Sequence, residues 1–208
     1  MNKDKNFVLQ GNVNGAIRSE EELAHIDKET ADNAFKHQKK KLDAFLQQRG
    51  FAKYKTNSYL RRNRLEVLEY IDLQKEHYGS KTFTVNYALI SLYVPHSFFS
   101  FDLGGRLGNL ICNKDVWWDY SNEHIAEVSF DNIIEALESF LLPWFTEKES
   151  IDSIREELIK AQKECENHGG CLSDIQKIWL ETIENNSKDE RIVLGNIETL
   201  KLPKKLTK

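Results

Sequence analysis

Acidic, amide and hydroxyl side chains alternate with apolar ones in the segment EYIDLQKEHYGSKTFTVNYALI, residues 69–90. Alternation with a period of two is typical of a strand with one buried and one solvated face. Two such strands joined by a short turn predict an antiparallel hairpin. Its polar face would carry the side chains of Asp72, Gln74, Thr82, Thr84 and Asn86. Such a strip can bind a partner through hydrogen bonds, and it is equally the composition of an ordinary solvated sheet face.

The register of this hairpin makes one carboxylate unusual. With the turn centred on Tyr78, we expect Asp72 opposite Thr84, while Glu69 falls on the apolar face opposite Tyr87. A buried carboxylate is costly unless it accepts hydrogen bonds. We therefore expect Glu69 to be partly buried and to accept a hydrogen bond from Tyr87.

Arg106 and the pair Trp117 and Trp118 form a second candidate contact region. Arg106 can clamp a carboxylate of a partner, or it can pair with Asp102 or Asp115 within its own loop. Adjacent residues of a strand point to opposite faces, so one tryptophan would anchor the core and the other would lie near the surface; alternatively, both are packed under the helices. The predicted binding residues are therefore Asp72, Gln74, Thr84, Asn86, Arg106 and Trp118.

Patterns for catalysis and metal binding are weak. Cys112, His96 and Asp102 can be written as a triad, but there is no nucleophile motif around a serine. Three potential zinc ligands occur close together, but a structural zinc site requires four; they are Cys165, His168 and Cys171. We predict no catalytic residue, no metal ligand and no cofactor.

The elements that must position these residues begin with a helix. Apolar residues recur at helical spacing over 31–46, Gly50 is suited to end the helix, and Ser19 with Glu22 has the pattern of a capping box further upstream. The alternating segment 53–62 predicts one strand, and strands follow over 65–75 and 81–94. A short edge strand is expected over 116–120.

The later part of the chain is predicted to be helical. An apolar helix over 130–144 should end or kink at Pro143. Two further helices should be capped by Ser153 with Glu156 and by Ser173 with Gln176. The terminal LKLPKKLTK is basic and expected to be frayed.

These elements predict an α+β fold. We expect an antiparallel meander sheet of three to four strands, packed against an N-terminal helix and several C-terminal helices. Residues 1–18 would be a flexible arm, residues 19–185 a single domain, and residues 186–208 a C-terminal extension.

Composition limits the classes of partner and location. The formal net charge of -4 disfavours a nucleic-acid partner, because its phosphate backbone is also negatively charged. Stacking on RNA would also require exposed aromatic rings beside the basic residues Arg61, Arg62 and Arg64, and Tyr59 is the nearest candidate. No apolar stretch is long enough to span a membrane. Three cysteines, an odd and sparse set, favour a reducing cytoplasmic location.

Residues 45–145 resemble a bacterial family known as domain of unknown function 4304. The likeness depends on the order and spacing of RGFAKYKTNSYLRR, YIDLQKEHYGSKTFTVNYAL, RLGNL, DVWW and IIEALESFLLPWF. The resemblance implies an α+β fold with helices against an antiparallel sheet, and it implies no assigned activity.

Two functional hypotheses remain. The first is a non-catalytic protein-binding module, with an immunity-like role as its narrower form, motivated by the polar strip and by Arg106 with Trp118. The alternative is a hydrolase with an acidic cleft at the sheet face, built from Glu69 and Asp72 with His77 or Arg106. The partner and the oligomeric state stay open.

Overall fold

The structure is a computed structural model that describes residues 7–13, 27–77 and 79–207. The predicted capping box of Ser19 and Glu22 lies outside the described residues. The turn residue Tyr78 and most of the predicted N-terminal arm also lie outside them.

The first helix, α1, spans Lys28–Gln48. The side chain of Asp27 caps it by accepting a hydrogen bond from the Thr30 N–H at 2.8 Å. Ala31, Phe35 and other residues of the predicted apolar stripe are buried. Gly50 follows the helix with a φ of 86°, a conformation that glycine adopts without steric cost. The prediction of this helix and of its end is confirmed.

The sheet contains more strands than predicted. They are β1 Asn12–Val13, β2 Ala52–Lys55, β3 Ser58–Arg62, β4 Val67–Lys75, β5 Thr82–Ser91, β6 Leu103–Arg106 and β7 Val116–Asp119. Their order is β1-β7-β5-β4-β3-β2, and β6 also pairs with β5. The segment 53–62 is two antiparallel strands rather than one, because the chain turns back at 56–57 and places Ala52 opposite Leu60. The predicted edge strand, β7, lies between β1 and β5.

The central hairpin of β4 and β5 separates apolar from polar side chains as predicted around Ile71 and Phe83, which are both fully buried. Its register differs from the prediction by two residues. The Glu76 N–H donates to the Thr82 carbonyl oxygen at 2.9 Å, and the Leu92 N–H donates to that of Glu66 at 2.8 Å. A shift by two residues changes the opposing partners but keeps every side chain on its predicted face.

The remaining helices are α2 Leu107–Cys112, α3 Glu123–Ala136, a π-helical segment Leu137–Leu141, α4 Leu142–Glu147, α5 Ile151–Asn167, α6 Asp174–Glu184, α7 Glu190–Thr199 and a 3-10 turn Lys204–Leu206. Of the two outcomes predicted at Pro143, an end and a kink, the end does not occur, since helical backbone continues to Glu147. The π-helical segment immediately before Pro143 shifts the hydrogen-bond pattern where proline has no N–H. No helix of the described residues is long and apolar enough to cross a membrane.

Of the two predicted capping boxes that fall within the described residues, one is confirmed and one is wrong. Ser173 and Gln176 form a reciprocal capping box at α6. At α5 the capping residue is Ser150, which accepts from the Ser153 N–H at 3.1 Å, so the helix begins earlier than predicted.

The chain divides into two compact units. The first comprises Met1–Phe51, Asp72–Asn86 and Gly105–Pro143. Its core is aromatic, since the ring centroid of Phe35 lies 5.0 Å from that of Phe83 and 5.3 Å from that of Phe130. Such edge-on ring packing stabilises a core beyond the area that it buries.

The second unit comprises Ala52–Ile71, Tyr87–Gly104 and Trp144–Lys208. Within it, α7 and the following tail bury a second sheet face, whose residues in this unit are also apolar. The tail contributes leucines to one apolar cluster with the sheet, whose members include Leu60, Leu68, Ala88, Ile90, Leu92, Val193, Leu200, Leu202 and Leu206. The described part of the extension, residues 186–207, therefore contributes side chains to this core.

Candidate functional site

The predicted polar strip is smaller in the structure than in the sequence. Asp72, Gln74 and Asn86 are half-buried, and the Asn86 amide donates to Gln74 Oε1 at 3.0 Å. Thr84 is fully buried, and its hydroxyl donates to the Val116 carbonyl oxygen at 2.9 Å. Thr84 is thus withdrawn from any contact surface, because β7 lies beside β5 and covers it.

Arg106 is held within its own loop. Its guanidinium donates to the Asp115 carboxylate, one of the two intramolecular partners that the sequence left open. The guanidinium also lies 5.3 Å from the centre of the Trp117 ring, a distance typical of a cation–π contact. Trp117 is half-buried, so it is the tryptophan near the surface.

Trp118, the predicted binding residue, is instead the anchor of the core. It is fully buried, and its indole N–H donates to Asn132 Oδ1 at 3.0 Å. The Asn132 amide in turn donates to the Val8 carbonyl oxygen at 2.9 Å. Along β7, the side chain of Trp118 points into the core and that of Trp117 points towards the surface. The contact role predicted for Trp118 therefore does not fit this structure.

Glu69 is fully buried, as its position on the apolar face requires. Its hydrogen bond comes from Arg61 rather than from Tyr87, whose ring packs edge-on against Trp144 with 4.9 Å between centroids. The pairing of β3 with β4 brings Arg61 and Glu69 together. The Asn63 N–H donates to the Val67 carbonyl oxygen at 3.0 Å, and in this register Arg61 lies opposite Glu69. Burial raises the pKa of Glu69, and Arg61 opposes that shift.

A buried polar cluster fastens the loop between β5 and β6. His96 and Asp102 have completely inaccessible side chains, and His96 Nε2 lies 3.4 Å from Asp102 Oδ2. The Ser100 hydroxyl donates to Asp102 Oδ1 at 2.8 Å, and the Ser91 N–H donates to Oδ2 at 3.3 Å. This cluster contains two residues of the triad considered from the sequence, with Ser100 rather than Cys112 beside them.

Two C-terminal helices hold the same loop from outside this cluster. Asn196 of α7 accepts from the His96 N–H at 2.9 Å and donates to the carbonyl oxygens of Leu92 and Val94 at 2.8 and 2.7 Å. Gln176 of α6 donates to the Asp102 carbonyl oxygen at 2.8 Å. The loop is consequently fixed at its base by side-chain hydrogen bonds in a buried environment, where each is strengthened by low polarity.

Replacing Asp102 by asparagine should change how stability depends on pH. Burial raises the pKa of Asp102 to about 6, with His96 acting in the opposite direction. With this raised pKa, the folded state holds the Asp102 proton more tightly than the unfolded state does. The proton therefore stabilises the folded state fully below pH 3.8, the pKa of an unperturbed aspartate, and this stabilisation is lost as pH rises through about 6. Relative to Asp102→Asn, the wild type should lose up to about 3 kcal/mol of unfolding free energy between pH 4 and 7.

Urea unfolding at a series of pH values checks this expectation, with Asp189→Asn as the matched control. Hydrogen bonds from Arg191 lower the pKa of Asp189, so the wild type should gain stability over that control as pH rises. A wild type and Asp102→Asn that respond identically to pH would contradict the assigned titration.

The fixed loop presents aromatic side chains to solvent. We define the aromatic loop as residues 95–102, in which Phe98 is 67% and Phe101 is 55% exposed. Phe99 between them is half-buried and stacks on Tyr54, with centroids 5.0 Å apart. The ring of Tyr70 lies 4.6 Å from Phe99 and 5.3 Å from Phe101. A rigid loop thus carries two exposed phenylalanines on an aromatic base.

The sequence analysis missed this loop as a candidate site. No strand or helix is predicted for HSFFSF, because three phenylalanines in four positions fit neither period. Large apolar residues without periodicity, between a proline and a strand, are the signal that could have indicated surface presentation.

Comparison with known families finds a match for the central part of the chain. The family described as "Domain of unknown function (DUF4304)" matches residues 42–147. This range is slightly more than half of the 208 residues. The chain belongs to the DUF4304 family. Searches of curated proteins and of solved structures found no match.

The DUF4304 segment contains the aromatic loop, the buried Glu69 and the hairpin. The residues that fasten and cover these features from the C-terminal side, Gln176, Asn196 and Leu202 among them, follow the matched segment. In this DUF4304 protein, α5 to α7 and the tail therefore complete the second unit beyond the family match.

Proposed function

We propose that this DUF4304 protein is a non-catalytic protein-binding module that contacts its partner through the aromatic loop. The observation that carries the proposal is the exposure of Phe98 and Phe101 on a loop whose base is fixed by buried hydrogen bonds. Exposed aromatic rings on a rigid support lose little conformational entropy on binding, and aromatic anchors dominate the energy of many interfaces.

An immunity-like role is the narrower form of this proposal. In that role the module binds and neutralises a toxin protein inside a bacterial cytoplasm, where the three free cysteines stay reduced. It draws on analogy with other small bacterial binding partners rather than on a feature of the loop. Co-expression with the product of a neighbouring gene tests it, since rescue of growth should disappear when Phe98 and Phe101 are replaced.

The hydrolase alternative is less well supported. Glu69 is fully buried, and the side chains of His96 and Asp102 are also inaccessible to a substrate. A cavity in the second unit is mainly apolar and is lined by residues including Leu65, Val67, Tyr93, Ile154, Trp179 and Ile183. None of the described residues that line it is an acidic residue, a histidine or Arg106.

Replacing both exposed phenylalanines, Phe98→Ser with Phe101→Ser, should strongly weaken partner binding while leaving the fold intact. Because both side chains are largely solvent-exposed, the unfolding free energy should change by less than about 1 kcal/mol. Loss of two aromatic anchors should weaken binding by about thirtyfold or more, measured on the isolated complex.

The partner can be captured with a photo-reactive benzoylphenylalanine introduced at Phe98, in the full chain and in the native cell. The matched control carries the same group at Leu194, a residue of α7 that is 62% exposed. One dominant adduct from position 98, absent at 194 and lost with Phe101→Ser, is the expected result. Equal adducts from both positions, or none from position 98, would overturn the proposal.

A further inference from the structure

Two segments of the chain contain basic residues and no acidic ones. Residues 52–64 contain five basic side chains, and residues 200–208 contain four. Together they hold nine of the 29 lysines and arginines and none of the 33 acidic residues, which leaves 20 basic against 33 acidic residues elsewhere. Segregation of this kind produces a local positive potential on a protein whose net charge is negative.

The structure joins these two segments within the second unit. The Tyr54 hydroxyl donates to the Leu200 carbonyl oxygen at 2.8 Å, and the Arg62 guanidinium donates to that of Leu206 at 2.8 Å. Both bonds attach the tail to the neighbouring strands β2 and β3. We define the basic rim as the exposed cationic residues of this region, namely Lys53, Lys55, Arg64, Lys201, Lys204 and Lys205.

The basic rim borders the aromatic loop. Lys55 Nζ lies 5.2 Å from the ring centroid of Tyr54 and 5.9 Å from that of Phe99. Tyr54 links the two features, since its ring stacks on Phe99 while its hydroxyl binds the tail beside Lys201. Lys55 and the start of the tail thus lie beside the aromatic base of the loop within the second unit.

We infer that the basic rim and the aromatic loop together bind an acidic protein segment that also carries apolar side chains. The inference deepens the proposed function and rests on it. Carboxylates of the partner would face the basic rim, while its apolar residues would cover Phe98 and Phe101. Lysines on β2 also deter edge-to-edge strand pairing, but the lysines of the tail lie on no strand and are not accounted for by that role.

A protein partner fits these observations better than single-stranded nucleic acid. Guanidinium groups are the preferred ligands of phosphate, yet Arg61 and Arg62 are already engaged by Glu69 and Glu66. The two rings nearest to Lys55, those of Tyr54 and Phe99, stack on each other, so each already has one face occupied and is less open to a base. The acidic balance of the remaining chain would also repel a long phosphate backbone.

The test uses the full chain and a short fluorescein-labelled peptide that repeats Glu-Glu-Leu, followed by fluorescence anisotropy. Charge reversal of the rim, Lys55→Glu with Lys201→Glu, should weaken binding by about tenfold or more. The matched control is Lys36→Glu with Lys40→Glu, which makes the same change in net charge at exposed positions of α1 and should change affinity by less than about twofold. A peptide that repeats Lys-Lys-Leu should not bind.

The outcomes separate this inference from the proposed function. Tighter binding of oligo-dT than of the acidic peptide, or equal weakening by the rim and control reversals, would overturn the acidic partner. A cross-linked partner that needs Phe98 and Phe101 but tolerates rim reversal would refute only the acidic character of the contact. Binding that is indifferent to Phe98→Ser with Phe101→Ser would remove both.

Discussion

Replacing Arg61 by leucine should destabilise the fold by about 3 kcal/mol at neutral pH, because it leaves the buried Glu69 carboxylate without a cation. Burial raises the pKa of Glu69, while the hydrogen bond and charge of Arg61 lower it. Removing Arg61 therefore raises that pKa further. The loss of stability should be largest at neutral pH and should shrink as pH falls and the carboxyl becomes protonated, which urea unfolding across pH would measure.

Two variants make this result specific. Arg61→Leu with Glu69→Leu should regain most of the lost stability, since an apolar pair can replace a buried ion pair at little cost. Arg64→Leu, at an exposed arginine of the following turn, should change the unfolding free energy by less than about 0.5 kcal/mol. An Arg61→Leu protein as stable as Arg64→Leu, or one with no dependence on pH, would contradict the prediction.

Replacing two leucines of the tail, Leu202→Ala with Leu206→Ala, should cost about 4 kcal/mol of unfolding free energy. Both side chains are more than nine-tenths buried against the sheet residues of the second unit. Truncation of a buried leucine typically costs about 2 kcal/mol or more. The double variant should also expose the sheet face that the tail covers, and increased fluorescence of an apolar dye would report it.

The neighbouring lysines provide the control for the tail. Lys204→Ala with Lys205→Ala alters the same short segment but removes only exposed side chains, so stability should change by less than about 0.5 kcal/mol. If both double variants were equally stable, the tail would not belong to the folded core.

Much of the fold was predictable because the spacing of apolar residues depends only on neighbouring positions in the chain. Helix α1, the hairpin of β4 and β5 and the capping box at α6 follow from spacing that can be counted along the chain. The burial of Glu69 was also predictable, since alternation placed it on the apolar face of its strand. The turn at 56–57 was missed because no glycine or proline marks it, although the polar run Thr56-Asn57-Ser58 interrupts the alternation.

The candidate site was less predictable, because exposure depends on what packs against a strand. Alternation showed that Trp117 and Trp118 face opposite ways, but only the packing of α3, whose Asn132 accepts from the Trp118 indole, decided which one is buried. Thr84 had the pattern of a solvated residue and was covered by a strand from a distant part of the chain.

By itself, the sequence determined the α+β class, most helices and strands, and the side of the hairpin to which each residue points. Only the tertiary structure decided that Arg61 neutralises Glu69, that α7 and the tail bury a second sheet face, and that Phe98 and Phe101 are presented beside a basic rim. The physical reason is that periodicity arises from neighbouring backbone geometry. Burial, ion pairing and surface composition arise instead from contacts between residues far apart in the chain.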